Sequence, residues 1–508
     1  MSDAAIFFDP SRRRWWWIKR LGTLFGLFAV VTISVWLVSL LTIPFLPGIP
    51  GITVPIKRSL KRVIHLPPHT TRLTQFAAKR YQAKLLTQIS HDNQVYIAKA
   101  SKPPIKGSNI VAAFYAPWLE TGLHSLQANA SKMTHLMPSW VHLQEGAKGL
   151  DLHDWDPAMV PHNKEVLKIA RENNLNIVPV FSNAELSDFD SKRVHILLSD
   201  PAIQAEIILK LRQWVLINNF QGINVDFENI PAADHRLYLP FLRRLKVAFA
   251  PYHLVVSADL EAAQDTNWRE AAAICDYVVV MAYDEHGSGT KTPGPIASIS
   301  WYRGVLDHAI RDVPPEKLVL GLANYAYDWE EGRDWADPLN YQSALIAAEK
   351  YHDGEKPEQI VDFDDQYMNP TFSYDDDAGK HHEVWFLDAV TAANQWLIAQ
   401  KRGVRGVAVW VLGSTDPSIW DFLDRRHLNR PPDIQNLQRV HFPYDVDFEG
   451  EGEIAHVDAE PKDGERSLEI DPNTGLAVDE SYHTFPKSFV SRSMTGRPTH
   501  TRRRCSTS

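Results

Sequence analysis

Asn224, Asp226 and Glu228 interrupt an apolar run at alternate positions, with Ile223, Val225 and Phe227 between them. On a β-strand that spacing puts the amide and both carboxylates on one face and the apolar side chains on the other. Two carboxylates two residues apart on one face repel, and repulsion raises at least one pKa. A carboxyl that keeps its proton near neutral pH is what general acid catalysis needs. A solvated strand end is the plain alternative, but an apolar opposite face implies that the strand is buried, and packing alone does not call for the polar triplet.

The surrounding chain supplies elements to hold such a strand. Short apolar runs at 110–116, 135–143, 176–182, 222–228, 254–260, 277–284, 318–325 and 406–412 alternate with helix-like stretches such as 202–218 and 236–249. Eight strands rich in Val, Ile, Leu and Ala, separated by helices, predict an α/β fold, a closed parallel (β/α)8 TIM barrel. An open doubly wound sheet would need a glycine-rich phosphate loop after the first strand, and the segment from Tyr115 to Glu120 is not one. In a barrel, chemistry sits at the carboxyl ends of the strands. Trp118, Asp226, Glu228, Asp284 and Trp410 all fall there.

In these segments the chain resembles glycoside hydrolase family 18, the chitinase and endo-N-acetylglucosaminidase family. The family's fourth-strand signature, Asp-Gly-x-Asp-x-Asp-x-Glu, is matched by Gln221 to Glu228, with Gln221 and Asn224 in place of two aspartates. Met281, Ala282, Tyr283 and Asp284 match the sixth-strand Met-x-Tyr-Asp, and Trp410 matches the eighth-strand tryptophan. The seventh-strand signature is echoed loosely from Gly321 through Tyr325 to Tyr327, where an arginine is common. The resemblance spans about residues 108–430. Asn at position 224 is also similar to the branch of the family that acts on peptidoglycan-type glycans.

The resemblance implies a retaining, substrate-assisted mechanism. Glu228 would be the general acid and base, Asp226 would orient the substrate's 2-acetamido group, and Tyr283 would hold its carbonyl. Asn224 would hydrogen-bond Asp226. Asp284, Trp410, Trp118 and Tyr325 would bind sugar, with Trp410 as the floor of the subsite. No metal or cofactor is required. The implied substrate is an N-acetylated polysaccharide or peptidoglycan-type glycan with β-1,4-linked N-acetylglucosamine.

The ends of the chain carry other expectations. Arg12 to Arg14, Lys19 and Arg20 surround Trp15 to Trp17, and no charge then follows until Lys57. Residues 21–43 are about 23 mostly apolar positions, enough to cross a bilayer once. This predicts a cytoplasmic segment (1–20), a transmembrane helix (21–43) and a stalk (44–107), with the main domain periplasmic or extracellular. After the barrel (108–430), turn-rich residues 440–493 predict a small β module, and 494–508 a disordered tail. Such a module resembles the linker that precedes a polysaccharide deacetylase in membrane-anchored relatives, so a deacetylase or a synthase is the partner to look for. A net charge of −9 with no basic face argues against nucleic acid. Cys275, one of two cysteines, precedes an apolar run and reads as a buried core residue. Residues 330–384 form an insertion between strands 7 and 8, expected to extend a cleft wall. Asp375 to Asp377 and His381 to Glu383 within it read as a solvated hairpin. Two other classes compete with a hydrolase: a non-catalytic glycan-binding module, favoured by Gln221, Asn224 and Tyr327, and a scaffold subunit of an envelope polysaccharide assembly.

Overall fold

The protein is described from a computed structural model. It covers residues 109–185, 188–262, 267–351 and 361–432, then 437, 439–442, 445–449, 453–458, 462–465, 467–470 and 476–481. The expected cytoplasmic segment, transmembrane helix, stalk and tail lie outside the described residues. Among the described residues no helix is long and apolar enough to cross a membrane.

Eight parallel strands close into a ring: β1 (Ile110–Tyr115), β2 (His135–Leu143), β3 (Val180–Ser182), β4 (Gly222–Asp226), β5 (Val255–Glu261), β6 (Tyr277–Met281), β7 (Leu318–Ala323) and β8 (Gly406–Trp410). Each pairs with its neighbours in chain order, and β8 returns to β1 with Ile110 level with Gly406. Closure there depends on glycine: a Cβ at Gly406 would lie 1.9 Å from the Ile110 carbonyl oxygen. The sequence reads several strands too long at their carboxyl ends, and the third it reads as continuous where the ladder is broken. Asn176–Ile177 pairs with β2, then Val178 and Pro179 interrupt before β3. Pro179 has no N–H to give to a ladder.

Alternation sorts the side chains into two layers. Ile110, Ala112, Phe114, Met137, Val279, Val319 and Ala408 fill the barrel interior. Val111, Ala113, Ile223, Val225, Val256, Ala258, Val278, Val280, Leu320 and Val407 face outward onto the helices, and Cys275 is buried among them. Helix boundaries follow capping chemistry. Pro201–Ile217 begins where the Asp200 side chain accepts the Ala202 and Ile203 N–H groups, with Pro201 in the first turn, where its missing N–H costs nothing. Asp416 caps the short 3-10 turn Pro417–Asp421 in the same way, accepting the Ser418 N–H at 2.9 Å.

Between β7 and β8 the insertion folds into its own antiparallel sheet, from Tyr325–Glu330, Asp337–Asn340, Asp362–Asp364, Asn369–Asp375 and His381–Phe386, with a helix at Tyr341–Tyr351. One face of this sheet packs Tyr325, Tyr327, Trp329 and Trp385 against Tyr283 and Trp410 at the barrel mouth. The expected hairpin is present with an acidic turn, but it is not wholly solvated. His382 is buried; its Nδ1 lies 2.8 Å from Asp328 and its ring stacks on Tyr374. Register explains the difference: His382 pairs with Glu330 and Tyr374 across the sheet, facing the Lys350–Tyr351 end of the helix rather than water.

Beyond the barrel, antiparallel pairs form between Arg439–Phe442 and Lys462–Glu465, Asp445–Glu449 and Glu453–Asp458, and Ser467–Ile470 and Ala477–Ser481. The last of these is tied to the barrel: the Asn394 side chain on helix Ala389–Gln400 bonds both the N–H and the carbonyl of Ala477.

Candidate active site

β4 delivers its polar face to the barrel interior. Asn224 and Asp226 are 0% and 8% exposed, while Ile223, Val225 and Phe227 are buried on the helix side. The strand ladder ends at Asp226, so Glu228 lies just past it and needs another anchor. Asn183 provides it. Its side-chain oxygen accepts the Glu228 N–H at 3.0 Å, and its amide donates to the Glu228 carbonyl at 2.9 Å. Asn183 is fully buried at the end of β3, and sequence reading missed it. Asn183→Ala leaves two backbone groups without partners, at about 1–3 kcal/mol each where they are buried. The expected result is a lower Tm in a thermal melt, together with a loss of turnover larger than any change in KM.

The electrostatics follow from burial and crowding. Glu228 is held well above the usual carboxylate range, chiefly by burial, then by the charges of Asp226, Glu261, Asp284 and Asp259. Asp226 is pushed up to about 7 by burial, while a hydrogen bond from Glu228 pulls it down and Glu261 pushes it up. Desolvation outweighs the carboxylate repulsion that the spacing alone suggests. Both carboxyls are raised and Glu228 hydrogen-bonds Asp226, so the pair favours a protonated Glu228, the form a general acid requires.

Asn224 does not serve Asp226 as expected. Its Nδ2 donates to Asp259 Oδ2 at 2.7 Å, and its Oδ1 accepts the Ser257 hydroxyl at 2.7 Å. Both partners come from β5, whose register places Ser257 level with Asn224. The signal was present in the sequence, since Ser257, Asp259 and Glu261 alternate with Val256, Ala258 and Leu260 just as the β4 triplet does.

The loop after β6 contributes Tyr283 and Asp284. The Tyr283 ring lies over Gly321 of β7; a Cβ there would meet its Cε1 at 2.8 Å, so glycine makes room for the phenol. Asp284 has φ +63, a left-handed conformation that Asp tolerates better than most residues. Its Oδ1 accepts hydrogen bonds from Tyr325 and, at 3.1 Å, from Tyr327. Tyr327, standing where the resemblance leads one to look for arginine, thus holds Asp284. Tyr325 is 8% exposed, engaged with Asp284 and edge-on to Tyr283, so it shapes the wall more than it offers a free face. Trp410 ends β8 in the barrel mouth, edge-on to Phe114 at 5.2 Å. Trp118 sits in the turn after β1, 58% exposed.

A parallel barrel whose mouth holds two buried, hydrogen-bonded carboxyls with raised pKa values, walled by indole and phenol rings, is the layout of a glycosidase. The family model for glycosyl hydrolases family 18 matches residues 110–415, and the chain belongs to that family. Curated relatives include the cortical fragment-lytic enzyme of Bacillus anthracis, 25% identical over 344 residues that cover 65% of this chain and 76% of that protein. The cortical fragment-lytic enzyme of Bacillus subtilis is 27% identical over 276 residues, 52% of this chain and 62% of its own length. Matches to the curated relatives therefore span as little as 58% of the relative's length. Among solved structures, the spore cortex-lytic enzyme SleL of Bacillus cereus aligns with a TM-score of 0.54 at 25% identity, over 63% of this chain and 75% of that one. A chitinase from Chromobacterium violaceum aligns with a TM-score of 0.55 at 22% identity, over 62% and 97%, a likeness of fold.

Proposed function

We propose that this protein is a retaining glycosidase that cleaves β-1,4 bonds next to N-acetylglucosamine in a peptidoglycan-type glycan, with the substrate's own acetamido group as nucleophile. What supports the reading is the Asp226–Glu228 pair at the end of β4, two buried carboxyls hydrogen-bonded to each other and raised by burial. Glu228 protonates the glycosidic oxygen, then takes a proton from the incoming water. The acetamido carbonyl oxygen attacks the anomeric carbon as the leaving group departs and forms a cyclic oxazolinium, which water opens with retention. Asp226 accepts the acetamido N–H and stabilises the positive charge as it develops. Tyr283 donates its hydroxyl to the acetamido oxygen, Asp284 binds neighbouring hydroxyls, and the sugar's C–H face stacks on Trp410. Trp118, exposed at the rim, offers a platform for a more distant sugar.

The choice of peptidoglycan-type glycan over chitin is supported by the cortical fragment-lytic relatives and by Asn224 within the Asn-x-Asp-x-Glu pattern. The apolar run at 21–43 and its basic flank support an anchored protein with the barrel on the outer side of the membrane. In that setting the partner to seek is a polysaccharide deacetylase or synthase, by co-purification from membranes. The test of the activity is incubation of the full-length chain with N-acetylglucosamine oligomers and, separately, with peptidoglycan fragments, products being read by mass spectrometry. Cleavage of the fragments at N-acetylglucosamine supports the reading; cleavage of the oligomers alone moves the substrate to chitin-type glycans. Binding of either without cleavage leaves a lectin-like module.

A further inference from the structure

Asp259 is a buried carboxyl in the barrel that the scheme above does not use. It is 5% exposed, and its Oδ2 accepts the Asn224 amide at 2.7 Å. Its Oδ1 is buried without a hydrogen-bond partner among the described residues, and so is Oδ1 of Asp226. The β4–β5 register pairs Asn224 with Ser257 and Val225 with Ala258, which puts Asp226 and Asp259 side by side on the interior face. Adjacent strands lie about 4.8 Å apart, a separation that one bridging water or an O–H···O contact spans after a small rotation. Two buried oxygens left over on neighbouring positions are costly unless a proton or a water serves both.

We propose that Asp259 is a positioning residue of the hydrolytic centre, forming with Asp226 a buried carboxyl pair that holds one proton between them, with Asn224 as the clamp that aims it. The inference rests on the hydrolase reading only for its kinetic consequence. It accounts for Asn224. A carboxylate at 224 would stand 2.7 Å from Asp259, in direct conflict with its charge, whereas an amide donates to one side and accepts Ser257 on the other. The carboxyl absent from β4 is in effect supplied by β5.

The groups that face the pair are consistent with a shared proton. From β4 comes Glu228, from β5 Glu261, and from the β6 end Tyr283 and Asp284. β2 contributes His142, whose imidazole acts on Asp226, and Tyr277 and Tyr238 both feel the charge of Asp259. Among the described residues, none of the groups acting on Asp226, Glu228 or Asp259 is a lysine or arginine. Neutralisation of so many carboxyls therefore falls to protons. Burial and the Asp226 charge together hold Asp259 well above the usual range.

The experiment uses full-length protein labelled with 13C at the aspartate carboxyls, as wild type, Asp259→Asn and the swap Asn224→Asp with Asp259→Asn. The Asp226 signal is assigned by its absence in Asp226→Asn. In the wild type Asp226 is expected to titrate in two steps, the alkaline one reporting the second ionisation of the pair. In Asp259→Asn the step that depends on Asp259 is lost, leaving only what Asp226 shares with Glu228, and kcat falls roughly 10- to 100-fold with KM within about twofold. The swap keeps the carboxyl count, so it guards against a folding defect; it should restore the second step and most of kcat. Asp259→Asn with the wild-type titration and kcat overturns the proposal. So does loss of kcat with an unchanged Asp226 titration and no recovery in the swap, which would mark a packing role. A two-step titration in a wild type that cleaves no glycan keeps the pair and removes the hydrolase reading. One-step titration in an active wild type does the reverse.

Discussion

Glu228→Gln is expected to lower turnover roughly 10³- to 10⁴-fold, at the upper end of what a positioned general acid contributes. Glutamine keeps the shape of the side chain and can still donate to Asp226, and the Asn183 bonds hold the Glu228 backbone rather than its side chain. The substitution therefore removes the transferable proton and little else. It also removes an acid whose ionised form is penalised by burial and by four neighbouring carboxylates. A carboxyl with a raised folded-state pKa weakens the fold as pH rises past its unfolded value, so the variant should melt at or above the wild-type temperature at neutral pH. Mass spectrometry of the digest and a thermal melt on the same sample check both halves. Activity within tenfold of wild type would remove Glu228 from the acid role.

Asp226→Asn should cost about 10²- to 10³-fold in kcat, the range seen when one group that stabilises transition-state charge is deleted. Asparagine can accept the acetamido N–H through its carbonyl, so KM should move little, while the negative charge opposing the developing positive centre is gone. The pH profile separates this from a packing effect. Burial raises Asp226 to about 7, so wild-type kcat/KM should fall as pH drops below about 7 and Asp226 takes a proton. That acid limb should vanish in the variant. The alkaline limb should move to lower pH, because the Asp226 charge is one of the causes holding the Glu228 proton in place. Both limbs belong to a cluster that titrates together, so the comparison between proteins matters more than either midpoint. An acid limb unchanged in Asp226→Asn would assign it to another group.

Much of this centre was readable in one dimension. Alternation on β4 placed Asn224, Asp226 and Glu228 on one face, and the order of the eight strands predicted the barrel that the ladder confirms. The β2 run was read to the residue, and the Trp410 and Tyr283 positions fall at the mouth where strand order puts them. What was missed lay across strands. Asn183 is distant from Glu228 in sequence and carries no motif, yet it supplies both bonds that hold the Glu228 backbone. His382 reads as part of a solvated hairpin because the turn before it is acidic; only the sheet register turns it inward onto Asp328.

By itself the sequence determined which residues share a strand face, because side-chain direction alternates locally and needs no knowledge of neighbours. It determined the family as well, through motifs that lie within single strands. Tertiary structure decided the partners. That Asn224 answers to Ser257 and Asp259 instead of Asp226 depends on the β4–β5 stagger. Stagger is set when the barrel closes, by packing of all eight strands at once. It decided the protonation states too. Burial ranks ahead of the charges of nearby carboxylates in raising Glu228 and Asp226, and burial is a property of the surrounding shell that no stretch of seven residues contains.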